Sequence, residues 1–123
     1  MEDDALSERV IGCAIEVHRH LGPGLLEGAY EDCLCHELAL AGIAFDRQVH
    51  LPLIYKGTQV GTGYRLDIVA GNQLVIEIKA IERILPIHEA QLLTYLRLSR
   101  YRTSLILNFN HAVLKNGIRR LVL

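Results

Sequence analysis

Three charged residues stand where a buried sheet should have none: Asp67 in one apolar stretch, and Glu77 with Lys79 in the next. Unpaired charge inside a fold is expensive, so a sequence that keeps it there needs either a partner or a use for it. Side chains two apart on a strand share a face, which groups Glu77 with Lys79 and Asp67 with Arg65. Whether the two carboxylates meet depends on the loop between them. A two-residue turn at Gly71 and Asn72 would set Asp67 opposite Ile76 and send the acids to opposite faces. A three-residue loop that includes Gln73, or a bulge, sets Asp67 opposite Glu77.

In the second register, the two carboxylates and the main-chain carbonyl of Ile78 form a hard oxygen nest, suited to Mg²⁺ or Mn²⁺ rather than to zinc. A cation there would neutralise charge on a phosphoryl oxygen and lower the pKa of a bound water, as in-line attack on a phosphodiester requires. Lys79 lies one strand step from Glu77, where it could orient that water or stabilise the pentacovalent charge. The competing account is a cross-strand salt bridge from Asp67 or Glu77 to Lys79 or Arg65. Spacing alone favours the salt bridge.

Two further groupings change the balance. Gln91 and Tyr95 are four apart in a helical pattern, with His88 one turn earlier on the same side, and an amide with a phenol can hold water and phosphate without adding charge. Upstream, Gly24, Glu27 and Tyr30 open a second helical pattern, and Glu27 is a candidate third carboxylate. On its own it reads as a surface glutamate well placed in a helix first turn. Cys33 and Cys35 point about 200 degrees apart on a helix, so core packing is the reading for them.

Periodicity gives the helices and strands that carry these residues. Leu6, Val10, Cys13, Ala14, Val17 and Leu21 recur at helical spacing behind the capping candidates Asp3, Asp4 and Ser7, and Gly22 with Pro23 ends the run. A second helix begins near Gly24, carries Leu26, Tyr30, Leu34 and Leu38 on one stripe, and ends at Gly42. Three β-type runs follow, over residues 45–55, 58–69 and 74–81, and read as an antiparallel meander. Pro52 cannot donate to a ladder, so the first strand is an edge or is broken there. A third helix follows Pro86 and ends near Ser99, with apolar rows through Ile87, Ala90, Leu93 and Leu96 or through Leu92 and Leu96. Residues 103–109 and 118–123 complete the pattern as strands.

Composition sets the outer limits. With 123 residues, half of them apolar, the chain reads as a single globular domain spanning 1–123, and a disordered reading is excluded. No apolar run approaches the roughly 20 residues needed to cross a bilayer, and the acidic start has the wrong charge for a signal peptide, so the expected location is the cytoplasm with no membrane partner. An odd count of three cysteines argues against a disulfide framework. The net charge of −1 makes no case for a polyanion partner, but the charge is unevenly spread. Residues 1–62 hold four Lys/Arg against ten Asp/Glu, and residues 63–123 hold nine against four, so the basic half carries the candidate site.

Taken together, the stretches LGPGLLEGAYE, GYRLDIV, VIEIKA, HEAQLLTYLRLS and LILNFN resemble the GxxExxY protein family, named for the motif that Gly24, Glu27 and Tyr30 reproduce. That family is placed in the PD-(D/E)XK nuclease superfamily. The resemblance runs from about Leu6 to Leu123 and implies a mixed α/β, restriction-endonuclease-like αβββαβ core with an extra N-terminal helix and a C-terminal strand. It also implies roles: Asp67 as the motif aspartate, Glu77 and Lys79 as the (D/E)XK element, Glu27 as the first-helix glutamate, and Gln91 with Tyr95 as the QxxxY element of one branch. Leu66 departs from the pattern, standing where the PD motif has proline.

The expectation is therefore Mg²⁺- or Mn²⁺-dependent hydrolysis of nucleic acid, DNA ahead of RNA, aided by a homodimer or a partner protein if the substrate is long. Two rivals differ in class: a non-catalytic nucleic-acid or phosphate-binding module, and a structural subunit whose apolar surface makes a dimer.

Overall fold

The computed structural model describes residues 2–123, with side chains from Ala5 onward. The order of elements is α1 (Glu2–Leu21), α2 (Glu27–Leu40), β1 (Phe45–Leu51), β2 (Ile54–Tyr55), β3 (Thr58–Gln59), β4 (Tyr64–Ala70), β5 (Leu74–Lys79), α3 (Pro86–Leu98), β6 (Thr103–Asn108), a 3₁₀ turn η1 (Leu114–Gly117) and β7 (Ile118–Val122). The main sheet runs β1-β4-β5-β6-β7, with β5 and β6 parallel and every other pair antiparallel. A parallel pair cannot be joined by a tight turn, and α3 supplies the crossover.

Helices cover both faces, so the fold is the mixed α/β, restriction-endonuclease-like arrangement that the resemblance implied. On one face Val10, Cys13, Ala14 and Val17 of α1 join Tyr30, Leu34, Cys35 and Leu38 of α2 against Ile68, Ile76, Ile78, Leu105 and Leu107. On the other, Leu92 and Leu96 of α3 meet Leu66, Val69, Val75 and Ile106. Strands covered on both sides lose the apolar–polar alternation, which is why β6 is buried at all six positions. Burial raises the thiol pKa of Cys13, and pushes that of Cys35 up to about 11, as suits inert packing groups.

The structure departs from the sequence expectation in several places. The runs 45–55 and 58–69 are not continuous strands. Pro52 ends β1, and left-handed Gly61 and Gly63 precede β4, so the intervening residues form a separate two-stranded ribbon, β2 with β3, whose four residues are all exposed. Gly63 is obligatory: a Cβ there would strike the Leu51 carbonyl. The second helix starts at Glu27 rather than Gly24, after the extended N-cap Leu26. Ser7 lies within α1 and is no cap, and its buried Oγ lacks a hydrogen-bond partner among the described residues. The side chains of Asp3 and Asp4 fall outside the described residues. On α3 the Leu92 and Leu96 row is the buried one, while Ile87 is 67% exposed. Among the described residues no helix is long and apolar enough to cross a membrane.

Candidate active site

The turn between β4 and β5 holds three residues, 71–73, with Gly71 and Asn72 both left-handed and the Gln73 N–H donating to the Ala70 carbonyl at 3.1 Å. The register is Ala70 to Leu74, Val69 to Val75 and Ile68 to Ile76, which makes Asp67 and Glu77 the next pair. Regular pairing stops one step short of them. There the side chains replace main-chain acceptors: the Asp67 N–H donates to Glu77 Oε1 at 3.3 Å, and the Ile78 N–H donates to Asp67 Oδ2 at 2.9 Å. Each acid reaches across to the other strand, so the two carboxylates converge in the seam between β4 and β5.

A second interruption lies on the other side of Asp67. The β1–β4 register runs unbroken on either side of it, through Arg47 to Ile68 and Val49 to Leu66, and skips only the pairing of Gln48 with Asp67. Gln48 adopts φ +52, uncommon for a residue with a side chain. Both strands change phase at this point. Phe45, Ile68 and Ala70 pack toward α1 and α2, whereas Val49, Leu51, Leu66 and Tyr64 pack toward α3. Asp67 thus sits where neither neighbouring strand claims its backbone in a ladder. The kink is tied to α2: Gln48 Nε2 donates to both oxygens of buried Glu31, at 3.1 and 2.9 Å, and Arg47 donates to Glu31 through Nε and Nη2 and to Asp32 through Nη2.

The electrostatics follow from this crowding. Burial raises the Asp67 pKa, as do the charges of Glu31 and Glu27, against the opposing pull of the Ile78 N–H and of Lys79. Glu77 is pushed up to about 7, by burial first and then by the Asp67 charge, with the Asp67 N–H and Lys79 working the other way. Among the described residues, no ion pair within 4.0 Å joins either acid to Lys79 or Arg65, so the salt-bridge account of these charges does not hold. Lys79 is held through its backbone. Its carbonyl accepts the Phe109 N–H at 2.9 Å, and the fully buried Asn108 amide brackets Ile81, accepting its N–H and donating to its carbonyl, both at 3.0 Å.

The Gly24, Glu27 and Tyr30 triplet divides by role. Gly24 takes φ +107, which disfavours any other residue. The buried Tyr30 hydroxyl donates to the Gly22 carbonyl at 2.6 Å and accepts the Leu25 N–H at 3.1 Å, and its ring stacks on Phe109 at 4.5 Å. Both are structural. Glu27 is exposed and makes no hydrogen bond or ion pair among the described residues, yet its charge acts on both Asp67 and Glu77. It does not complete a metal shell by itself: among the described residues no three His, Cys, Asp or Glu side chains gather closely enough to hold an ion.

Gln91 and Tyr95 are joined as their spacing suggests, with Gln91 Nε2 donating to the Tyr95 hydroxyl at 3.0 Å. The Tyr95 ring stacks on Tyr64 at 4.5 Å, which fastens α3 to the start of β4, three residues before Asp67. No hydrogen bond runs from Gln91, Tyr95 or Glu27 to the two acids among the described residues. Glu31, Arg47, Gln48 and Asn108 are the positioning residues that sequence reasoning missed. Glu31, four after Glu27 and so on the same helix face, was the one with a readable signal.

In comparison with known proteins, a family model described as the PD-(D/E)XK nuclease superfamily matches residues 4–121. No curated protein and no solved structure matches the chain significantly.

Proposed function

The chain belongs to the PD-(D/E)XK nuclease superfamily, and we propose that it hydrolyses phosphodiester bonds of nucleic acid with Mg²⁺ or Mn²⁺ held by Asp67 and Glu77. The observation that carries this reading is the crossed pair of bonds at the seam, Asp67 N–H to Glu77 and Ile78 N–H to Asp67, which leaves each carboxylate a second oxygen to offer. The donor set fits a hard divalent cation: two carboxylates with raised pKa values, no cationic partner in contact among the described residues, and the Ile78 carbonyl as a further oxygen ligand. Mg²⁺ normally retains several waters, so two protein carboxylates are a sufficient anchor. When bound, the ion would offset the repulsion between the acids and supply charge neutralisation at the phosphoryl oxygens.

The remaining residues act around that anchor. Lys79, on the same face of β5 as Glu77, orients the attacking water or receives the charge that builds on the phosphorus oxygens. Glu27, in the first turn of α2 and without a hydrogen-bond or ion-pair partner among the described residues, takes a proton or positions a second water. The Gln91 and Tyr95 pair offers an uncharged amide and phenol to the substrate phosphate. By its motif the chain is a GxxExxY protein, and a second copy or a partner protein widens the surface available to a long substrate.

The test is cleavage of labelled single-stranded and duplex DNA and RNA by purified protein with Mn²⁺. Wild type should cleave and Glu77→Ala should be slower by a factor of at least about 100, the scale of losing an essential electrostatic group. Equal activity in both would assign the cleavage to a contaminant.

A further inference from the structure

Two residues beyond Lys79 the chain enters the loop leading to α3, and that loop borders a cavity of about 430 Å³ lined by Ile81, Glu82, Arg83, Leu85 and His88. Its wall is fixed, because Asn108 grips both backbone polar groups of Ile81. Arg83 is exposed and makes no hydrogen bond or ion pair among the described residues. His88 is committed: its Nδ1 accepts the Leu85 N–H at 2.9 Å. A main-chain N–H can only donate, so in the neutral ring the proton resides on Nε2, which makes that nitrogen a donor. From His88 the same helix face continues to Gln91 and Tyr95, at steps of three and four residues.

We infer that this cavity binds a nucleic-acid phosphodiester flanking the one that is cleaved, with Arg83 and His88 Nε2 as its contacts; this rests on the nuclease reading for its choice of ligand. The guanidinium fork matches two phosphate oxygens, and the imidazole N–H supplies a third bond of fixed direction. Glu82 is the acidic member of the lining and opposes an anion, which sets the affinity below what the two donors would otherwise give.

The experiment measures fluorescence anisotropy of a labelled single-stranded oligonucleotide on the full chain, in EDTA, at two salt concentrations. His88 occupies the third helical position, where Glu and Gln both reach back to the N-cap N–H, so His88→Glu and His88→Gln each keep the helix start intact. Only the glutamine retains a donor. Binding should weaken on the order of tenfold in His88→Glu and in Arg83→Ala, stay within about twofold of wild type in His88→Gln, and tighten in Glu82→Gln. Arg83→Ala should also reduce the salt slope by about 1. No oligonucleotide binding by wild type, unchanged binding in His88→Glu or Arg83→Ala, or equal loss in both His88 variants would overturn the inference. Because metal is absent, the outcome is separable from catalysis. A chain that cleaves with Mn²⁺ but ignores these substitutions loses only the cavity, and one that needs them for binding yet never cleaves loses only the nuclease activity.

Discussion

Burial and the neighbouring Asp67 charge push the Glu77 carboxyl from 4.5 up to about 7, so the metal-free fold keeps a proton that the unfolded chain has already released. A group with a raised folded-state pKa stabilises fully below its unfolded value and loses that contribution as pH climbs through the folded one. Metal-free protein should therefore lose about 3 kcal/mol of stability from this group between pH 4.5 and pH 7, and Asp67 adds to the fall with the same sign. Thermal melts in EDTA across that range should show the slope in wild type and a much flatter profile in Glu77→Gln. Protons and cations compete for the same oxygens, so Mn²⁺ should raise the melting temperature more at pH 8 than at pH 5.5. A slope unchanged by Glu77→Gln would mean the carboxyl is not where the structure has it. Gln48 offers a second test at this scale. Gln48→Gly tolerates φ +52 but cuts the tie to Glu31, and should weaken Mn²⁺ binding by about tenfold in calorimetry while the fold persists. Undiminished affinity would reduce the kink to a feature of β1 alone.

Elements explain why some of this was legible in the amino-acid order and some was not. Asp67, Glu77 and Lys79 stood out because charge in an apolar strand is rare, and the odd loop they require is the three-residue turn that the structure contains. Helix ends at Gly22 and Gly42, and the break at Pro52, followed from backbone limits that belong to single residues. The phase change of β1 and β4 was hidden. It arises from a pairing between two strands and a buried glutamate on a helix, and Gln48 carries no mark of a left-handed conformation. Tyr30 was legible as part of a motif but not in its role, since the hydroxyl that closes the loop before α2 depends on where Gly22 and Leu25 come to lie. Tyr30→Phe removes that hydroxyl and leaves the Leu25 N–H and Gly22 carbonyl without it. It should cost about 1–2 kcal/mol by denaturant unfolding and leave Mn²⁺ affinity unchanged.

At the scale of the whole molecule, the two apolar cores lie on opposite faces of one sheet, and the two acids meet at the β4–β5 seam within that sheet. The β2–β3 ribbon belongs to neither core, since Ile54 and Tyr55 are exposed along with Thr58 and Gln59. Replacing residues 53–60 by a short turn should leave the melting temperature within a few degrees, because surface changes of this kind cost little. A collapse of the fold would show that the ribbon supports the strands it extends. Anomalous diffraction from a crystal soaked in Mn²⁺ would reveal whether the acids of β4 and β5 share one divalent ion. One strong peak should lie within about 2.1 Å of an oxygen from each of Asp67 and Glu77. A peak bound to neither, or carboxylates turned to opposite sides of the sheet with no peak between them, would mean that the two acids hold no common ion.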